Sequence, residues 1–490
     1  MSVKEPVLET PGFSSGVSWR ISPAIRHPLD IIFALMVGAI IWHLPPAPPL
    51  DEKGMHFLAT LALAVVFWVR ESYDEYVVGL MLLFSWVVFE IAPTGVALSG
   101  FAKSSLIFVI AALGLGAAVN HVGLLSRASS QILKRVPLSF YRTHLFLVLT
   151  SGLLITPLLP TGKARTVIGI PMGQAISNSG GFAPRSNGSA ALTLAALVGF
   201  SQFSFMFLTG GEFCLIGWNL LPSAAKSEFG WTAWFVAALP AGIFTLLFVF
   251  MAVQWLFPLQ LGDKERIENA APPVELKTSK PLSRAEWIAL ITLSFTVIGW
   301  LTMPIHGFDE AWVALAGLLV FHVTGILNKE IFIRKLDWGL ILFFAIVTSM
   351  AEMTSHLKVD RWFIEQIQPT LTHYALGPLI FLAVVVVLVN IARLFVRKAA
   401  AVTFFMITMV PIAQSVGVHP GALLLTVLMA SESFLLSYQD GPYQIAYSST
   451  SGQAFSHAQA RKLLLVKNIA TLAGLVLSIP FWRMLGLIRG

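Results

Sequence analysis

Apolar runs, each about as long as a bilayer is thick, follow one another from residue 30 to residue 486. Uninterrupted runs fall at 30–46, 55–70, 76–92, 104–124, 231–257, 285–304, 309–327, 337–353 and 463–486. Two more, 143–176 and 375–416, are broken at their midpoints and read as hairpins. Two others carry polar or helix-breaking interruptions: 190–221 at Gly210-Gly211-Glu212, and 419–449 at Gln439-Asp440-Gly441-Pro442. This pattern predicts an all-α polytopic membrane protein with about 11 transmembrane helices and two re-entrant hairpins. The most polar stretch, 258–284, reads as a cytoplasmic linker. Residues 1–29 read as a cytoplasmic tail, because no short apolar core is followed by a cleavage site.

Composition agrees. Of 490 residues 56% are hydrophobic and 12% charged, against about 25% charged in a soluble domain, and the mean hydropathy is +0.78. The net charge of +7 does not indicate a nucleic-acid partner, since the basic residues lie between apolar segments and form no stripe. The single cysteine, Cys214, excludes an internal disulfide and a cysteine-based metal cluster, and no cofactor is called for. If the N-terminus is cytoplasmic and the two hairpins turn back without crossing, twenty Lys and Arg residues fall on the cytoplasmic side and seven outside. That bias favours a multi-pass cell-membrane protein with its C-terminus outside. Lys467 counts among the cytoplasmic cations in this scheme, and Lys103 and Lys226 among the outer ones.

The second half repeats the order of the first. "GAAVNHVGLLSRASSQIL" and "TSMAEMTSHLKVDRWFIEQI" each close a span and precede a broken hairpin. The second arms carry "IPMGQAIS" and "VPIAQSVG", which pair Pro171/Gln174 with Pro411/Gln414. An interrupted helix follows each time. The division is then 30–257 for the first repeat and 285–490 for the second. Inverted repeats with paired broken helices are the mark of a secondary transporter, whose site lies where the breaks meet.

Charge at those breaks narrows the chemistry. Lys163 and Arg165 sit beside Pro160 and Gly162 in the middle of an apolar region. Either they face a polar cavity, where an intramembrane cation is by default functional, or the tip reaches the surface and they snorkel. Thr161, Gly162, Gly210, Gly211, Thr403, Gly441 and Pro442 would offer hydroxyls and helix-end N–H groups to an anion. Arg397 and Lys398 either join them, or face an interface or pair with acids. Glu212 and Asp440 either pair with Lys163 or Arg165, couple protons, or lie in exposed loops. Tyr438, Tyr443 and Tyr447 cluster at the second break, mostly as packing.

Taken together, "SGFAKSSLIFVIAALGLGAAVNHVGLLSRASSQIL" (99–133), "LDWGLILFF" (336–344) and the paired breaks resemble the divalent anion/sodium symporter family, over most of residues 30–486. The resemblance implies a homodimer that moves a small anionic solute, such as a dicarboxylate or sulfate, across the lipid bilayer by an elevator motion. It also implies a Ser-Asn-Thr motif at each hairpin tip. Counting back from Pro171 and Pro411, those positions read Thr161-Gly162-Lys163 and Ala401-Val402-Thr403. Both asparagines are missing, which argues against sodium as the coupling ion and leaves the proton open. The alternative is a cation/proton antiporter of the same superfamily using Glu212 and Asp440, and the basic tips oppose it. An intramembrane protease is excluded: "YQDGP" reverses the Gly-x-Gly-Asp order, and no His-Glu-x-x-His helix or Gly-x-Ser-Gly site occurs. Two stacked breaks also suit a transporter better than a channel.

Overall fold

The computed structural model describes residues 23–46, 48–70, 72–123, 127, 141–259, 281–362, 365–366, 377–394, 396–432 and 440–489. Most of the expected tail and linker, and Tyr438, lie outside them. The described residues form helices, with no strand beyond an isolated bridge between Val418 and Ile488. In the first half the main helices are α1 (Pro23–Trp42), α2 (Glu52–Arg70), α3 (Glu75–Val88), α4 (Ser104–Val122), α5 (Tyr141–Ile155), α6 (Gly162–Ser179), α7 (Asn187–Ser201), α8 (Glu212–Asn219) and α9 (Trp231–Leu256). In the second half they are α10 (Arg284–Leu301), α11 (Glu310–Val323), α12 (Trp338–His356), α13 (Pro378–Ala392), α14 (Lys398–Ser415), α15 (Pro420–Ser431), α16 (Gly441–Ser449) and α17 (His457–Met484). Among the described residues, eight helical segments are long and apolar enough to span a bilayer.

Local chemistry sets several of these starts. Capping boxes open α10 and α17: Ser283 with Glu286, and Ser456 with Gln459. Asp309 and Asp337 cap α11 and α12. Two boundaries differ from expectation. The first helix begins at Pro23 rather than residue 30. The last begins at His457 rather than residue 463, because its capping box nucleates it earlier. Lys467 is therefore ten residues inside a helix, and its assignment to the cytoplasmic surface is corrected: its side chain is 0% exposed.

Small residues let the backbones close up where membrane helices cross, since lipid tails offer little hydrophobic drive for helix association. A Cβ on Gly152 of α5 would stand 2.2 Å from the carbonyl carbon of Gly199 on α7. A Cβ on Gly474 of α17 would stand 2.9 Å from the Ala241 oxygen of α9, and nearby the Trp482 indole donates to the Ala237 carbonyl at 2.8 Å. The last helix of each half thus packs along the other. Helices α2, α3 and α4 instead gather with α10, α11 and α12; Gly79 meets Ile346, and Gly114 meets Leu318. Replacing Gly152 with valine should therefore force α5 and α7 apart. We expect overpacking to cost roughly 1–3 kcal/mol or more, read as a lowered unfolding temperature in detergent. An unchanged melting curve would contradict this packing.

Candidate functional site

Four interruptions converge in the interior. The first lies between α5 and α6, at Thr156–Thr161. The second, Gln202–Gly211 between α7 and α8, holds two short 3-10 turns and starts earlier than the Gly210-Gly211-Glu212 expected from sequence. The third lies between α13 and α14, and the fourth ends at Asp440, the N-cap of α16. Each leaves helix-end N–H and C=O groups without intrahelical partners. In a bilayer such groups need protein donors and acceptors.

Arg165 supplies donors to the first two. From the first turn of α6 it donates to the carbonyls of Phe200 at 2.6 Å, Gly210 at 2.6 Å and Leu159, to Ser204 Oγ at 2.9 Å, and to Thr156 at 3.5 Å. Its side chain is 0% exposed. The expectation that Arg165 opens onto a cavity is corrected: its fork is taken up by the carbonyls that the breaks leave behind. Thr209 adds a bond from its hydroxyl to the Pro157 carbonyl. Gly210 needs to be glycine, because a Cβ there would meet the Ser204 oxygen at 2.2 Å.

Arg393 does the same work in the second half. Buried at the end of α13, it donates to Ser431 O at 3.2 Å and Val396 O at 2.8 Å. Arg397 pairs with Glu75 of α3, 3.5 Å away. Lys398 lies 3.5 Å from Glu432 and over the Phe213 ring at 4.8 Å.

The helix frames also shift one motif. Pro171 is the tenth residue of α6, while Pro411 is the fourteenth of α14. The short proline–glutamine match is therefore one helical turn out of step. Val402 and Thr403 lie inside α14 and are fully buried. The second tip is instead Arg397-Lys398-Ala399. Thr403 is corrected as a tip residue, and its buried Oγ1 has no partner among the described residues.

Lys163 is exposed and lies against the second half. A Cβ on Gly441 would meet its Cε at 2.8 Å, and one on Gly162 would meet Pro442 Cγ at 3.4 Å. The tip of the first half thus touches the break of the second. Thr161 caps α6 by position, with no side-chain bond, and Gly211 is the N-cap of α8.

The acids differ from expectation. Glu212 makes no ion pair within 4 Å among the described residues, although Lys398, Arg165 and Lys163 are within electrostatic reach. Asp440 makes no ion pair there either. Its carboxylate accepts the Tyr443 N–H at 2.8 Å and the Gln202 amide at 3.3 Å. Their expected pairing with Lys163 or Arg165 does not form. The buried pair is Glu432 with Lys467, at 3.8 Å. Lys467 also donates to Gln202 Oε1 at 3.3 Å and to the Glu432 carbonyl at 3.4 Å. Gln202, Glu432 and Lys467 were legible only as polar residues inside apolar stretches; the lysine in "LLLVKNIATLAG" is the clearest such signal. Tyr443 and Tyr447 pack on Phe455 and His457, with Tyr443 Oη 2.5 Å from His457 Nδ1.

Arg165 and Lys163 should therefore separate in a stability test. Each buried carbonyl left without a donor costs roughly 1–3 kcal/mol, so Arg165→Met should lower the unfolding temperature sharply. Lys163→Met, at an exposed position, should change stability by no more than about 0.5 kcal/mol. Equal melting temperatures would remove the structural role of Arg165.

Comparisons with known proteins agree with this architecture. The family model described as "Sodium:sulfate symporter transmembrane region" matches residues 27–488. The chain is 26% identical over 454 residues to the L-tartrate/succinate antiporter of Escherichia coli, covering 85% of this chain and 90% of that one. It is 24% identical over 429 residues to dicarboxylate transporter 1, chloroplastic, of Spinacia oleracea (86% and 75% covered). It is 23% identical over 348 residues to the putative malate transporter YflS of Bacillus subtilis (68% and 71% covered). The crystal structure of the Alcanivorax borkumensis YdaH transporter shares the fold, with a TM-score of 0.55 at 16% identity over 95% of this chain and 100% of that one. With the family model matching nearly its whole length, the chain belongs to the sodium:sulfate symporter family, a family of membrane transporters.

Proposed function

We propose that this protein exchanges small doubly charged organic anions, such as dicarboxylates, across the cell membrane without sodium. One observation carries the reading. Around the breaks stand five cations, Lys163, Arg165, Arg393, Lys398 and Lys467, against three carboxylates, Glu212, Glu432 and Asp440. The excess is two positive charges, which a dianion neutralises. The named relatives are transporters of tartrate and succinate, dicarboxylates and malate, which supports the same class. Neither tip carries asparagine: the residues are Thr161-Gly162-Lys163 and Arg397-Lys398-Ala399. Fixed lysines take the place that a bound cation would fill. The exposed Lys163, with Gly162, Thr161, Gly441 and Pro442 beside it, is the proposed substrate contact. The antiporter reading for cations is disfavoured, because both Asp440 oxygens are engaged.

The motion we infer is of elevator type. Helices α5–α9 and α13–α17 carry the site against α1–α4 and α10–α12, and the Arg397–Glu75 pair joins the two groups. A cytoplasmic N-terminus, an outer C-terminus and a homodimer complete this reading.

Two measurements test it. Proteoliposomes loaded with succinate should take up labelled succinate equally well in sodium and in choline media, and should lose little label without an external dianion. A strict sodium requirement, or free net efflux, would defeat the proposal. Lys163→Ala should weaken substrate binding by roughly 1.5–3 kcal/mol, as for a lost hydrogen bond between charged groups. Calorimetric titration showing unchanged affinity would return Lys163 to a surface role.

A further inference from the structure

One polar cavity is lined by residues outside the four breaks. Its volume is about 350 Å³, and it lies between α12 on one side and α8 and α14 on the other. Lys103, Asn219, Lys226, Glu352, Asp360 and Gln414 are among its lining residues. On the topology proposed above this is the outer face. Lys103 is neutralised by Glu352 at 3.1 Å. Lys226, in the short helix Ser223–Glu228, is different. It is half-buried and makes no ion pair within 4 Å among the described residues. Its Nζ donates to Asn219 Oδ1 at 2.9 Å and lies over the Trp218 ring at 5.4 Å.

Asn219 provides the second observation. It is 2% exposed, and with its oxygen taken by Lys226 its Nδ2 is left buried without an acceptor among the described residues. A buried amide donor with nothing to bond is costly, and so is a partly desolvated ammonium without a counter-charge. Both lie beside one cavity, and both are satisfied by the same thing: the oxygens of an anion.

We propose that this cavity is a second anion site, in which Lys226 Nζ and Asn219 Nδ2 hold a carboxylate or similar small oxyanion before it reaches the breaks. Its role in transport rests on the exchange reading above, but its binding does not. Glu352 and Asp360 set an upper limit on affinity, so the site captures and releases rather than stores. Burial, and then repulsion from Lys103, bring the Lys226 ammonium down to about 8, while Glu352 and Asp309 pull the other way. The charged form is present below that pH, so anion binding should fall as pH rises through it.

Trp218 gives a direct readout. Its contribution is the difference in fluorescence between the wild type and Trp218→Phe, titrated with succinate and with sulfate. We expect a saturable change whose midpoint moves about tenfold or more in Lys226→Gln and in Asn219→Leu, stays in Lys163→Ala, and tightens in Glu352→Gln. In sided vesicles, Lys226→Gln should raise the KM for external succinate and leave kcat unchanged. A Trp218 signal that is absent in the wild type, indifferent to Lys226→Gln, or abolished by Lys163→Ala overturns the site. If succinate is not transported at all but the Trp218 titration behaves as stated, the exchange reading fails and the site stands. Lys226→Gln replaces a half-exposed side chain and is expected to fold, so the result does not depend on Asn219→Leu.

Discussion

Broken helices inside a membrane must find donors for the carbonyls they release, and in this protein two arginines provide them. Without water to solvate them, the carbonyls of Phe200, Leu159 and Gly210 would be left stranded where α5 and α7 end. Arg165 collects all three, and its guanidinium also reaches Ser204. Arg393 takes Ser431 O at the end of α15 and Val396 O at the end of its own hairpin. The five-donor planar fork is suited to this; an ammonium cannot span carbonyls spread over several directions in one plane. The two halves reach the same solution from different positions. Arg165 sits on the second arm of its hairpin, and Arg393 at the end of the first arm. The requirement is common to both breaks, and the residue that meets it is not fixed by the repeat.

Once the carbonyls are satisfied, the breaks can carry polar chemistry. Gln202 belongs to the first half; Asp440, Glu432 and Lys467 belong to the second. One glutamine accepts from Lys467 and donates to Asp440, so the two breaks share a single chain of bonds. The α9–α17 packing holds Lys467 at the depth where that chain can form. A buried ion pair of this kind adds little net stability, because desolvation offsets the attraction. What it adds is position: it fixes α17 in rotation and depth against the second break.

The sequence carried the architecture further than the site. Apolar run lengths and the paired interruptions were enough to read the helices and the breaks, because a bilayer imposes length and backbone satisfaction on every segment; the family came from the resemblance carried by residues 99–133 and 336–344. Arg165 and Lys163 were visible as cations at a proline–glycine break. What the sequence could not separate was which of the two points inward, since two residues on one helix turn differ only in the direction each faces. Glu212 and Asp440 drew attention as acids at breaks, while the paired acid is Glu432, eight residues before Asp440. The match of Pro171 with Pro411 was a turn out of register, since a proline within a helix marks no end. Lys467 was assigned to a membrane surface because charge counting treats a lysine near a helix start as a loop residue, and the capping box at Ser456 moved that start by six residues.

The balance of fixed charge links the site to the proposed mode of transport. A site that recruits mobile cations can shed them and return empty at low cost. Lysines and arginines built into the helices cannot leave. On the exchange reading, an empty site would carry its two excess positive charges across a medium where charge is poorly solvated, and the cost of that passage grows as the local dielectric falls. A bound dianion removes the excess and with it the barrier. Coupling would then need no second ion: the requirement that each crossing be neutral is enough to tie the movement of one anion to the return of another.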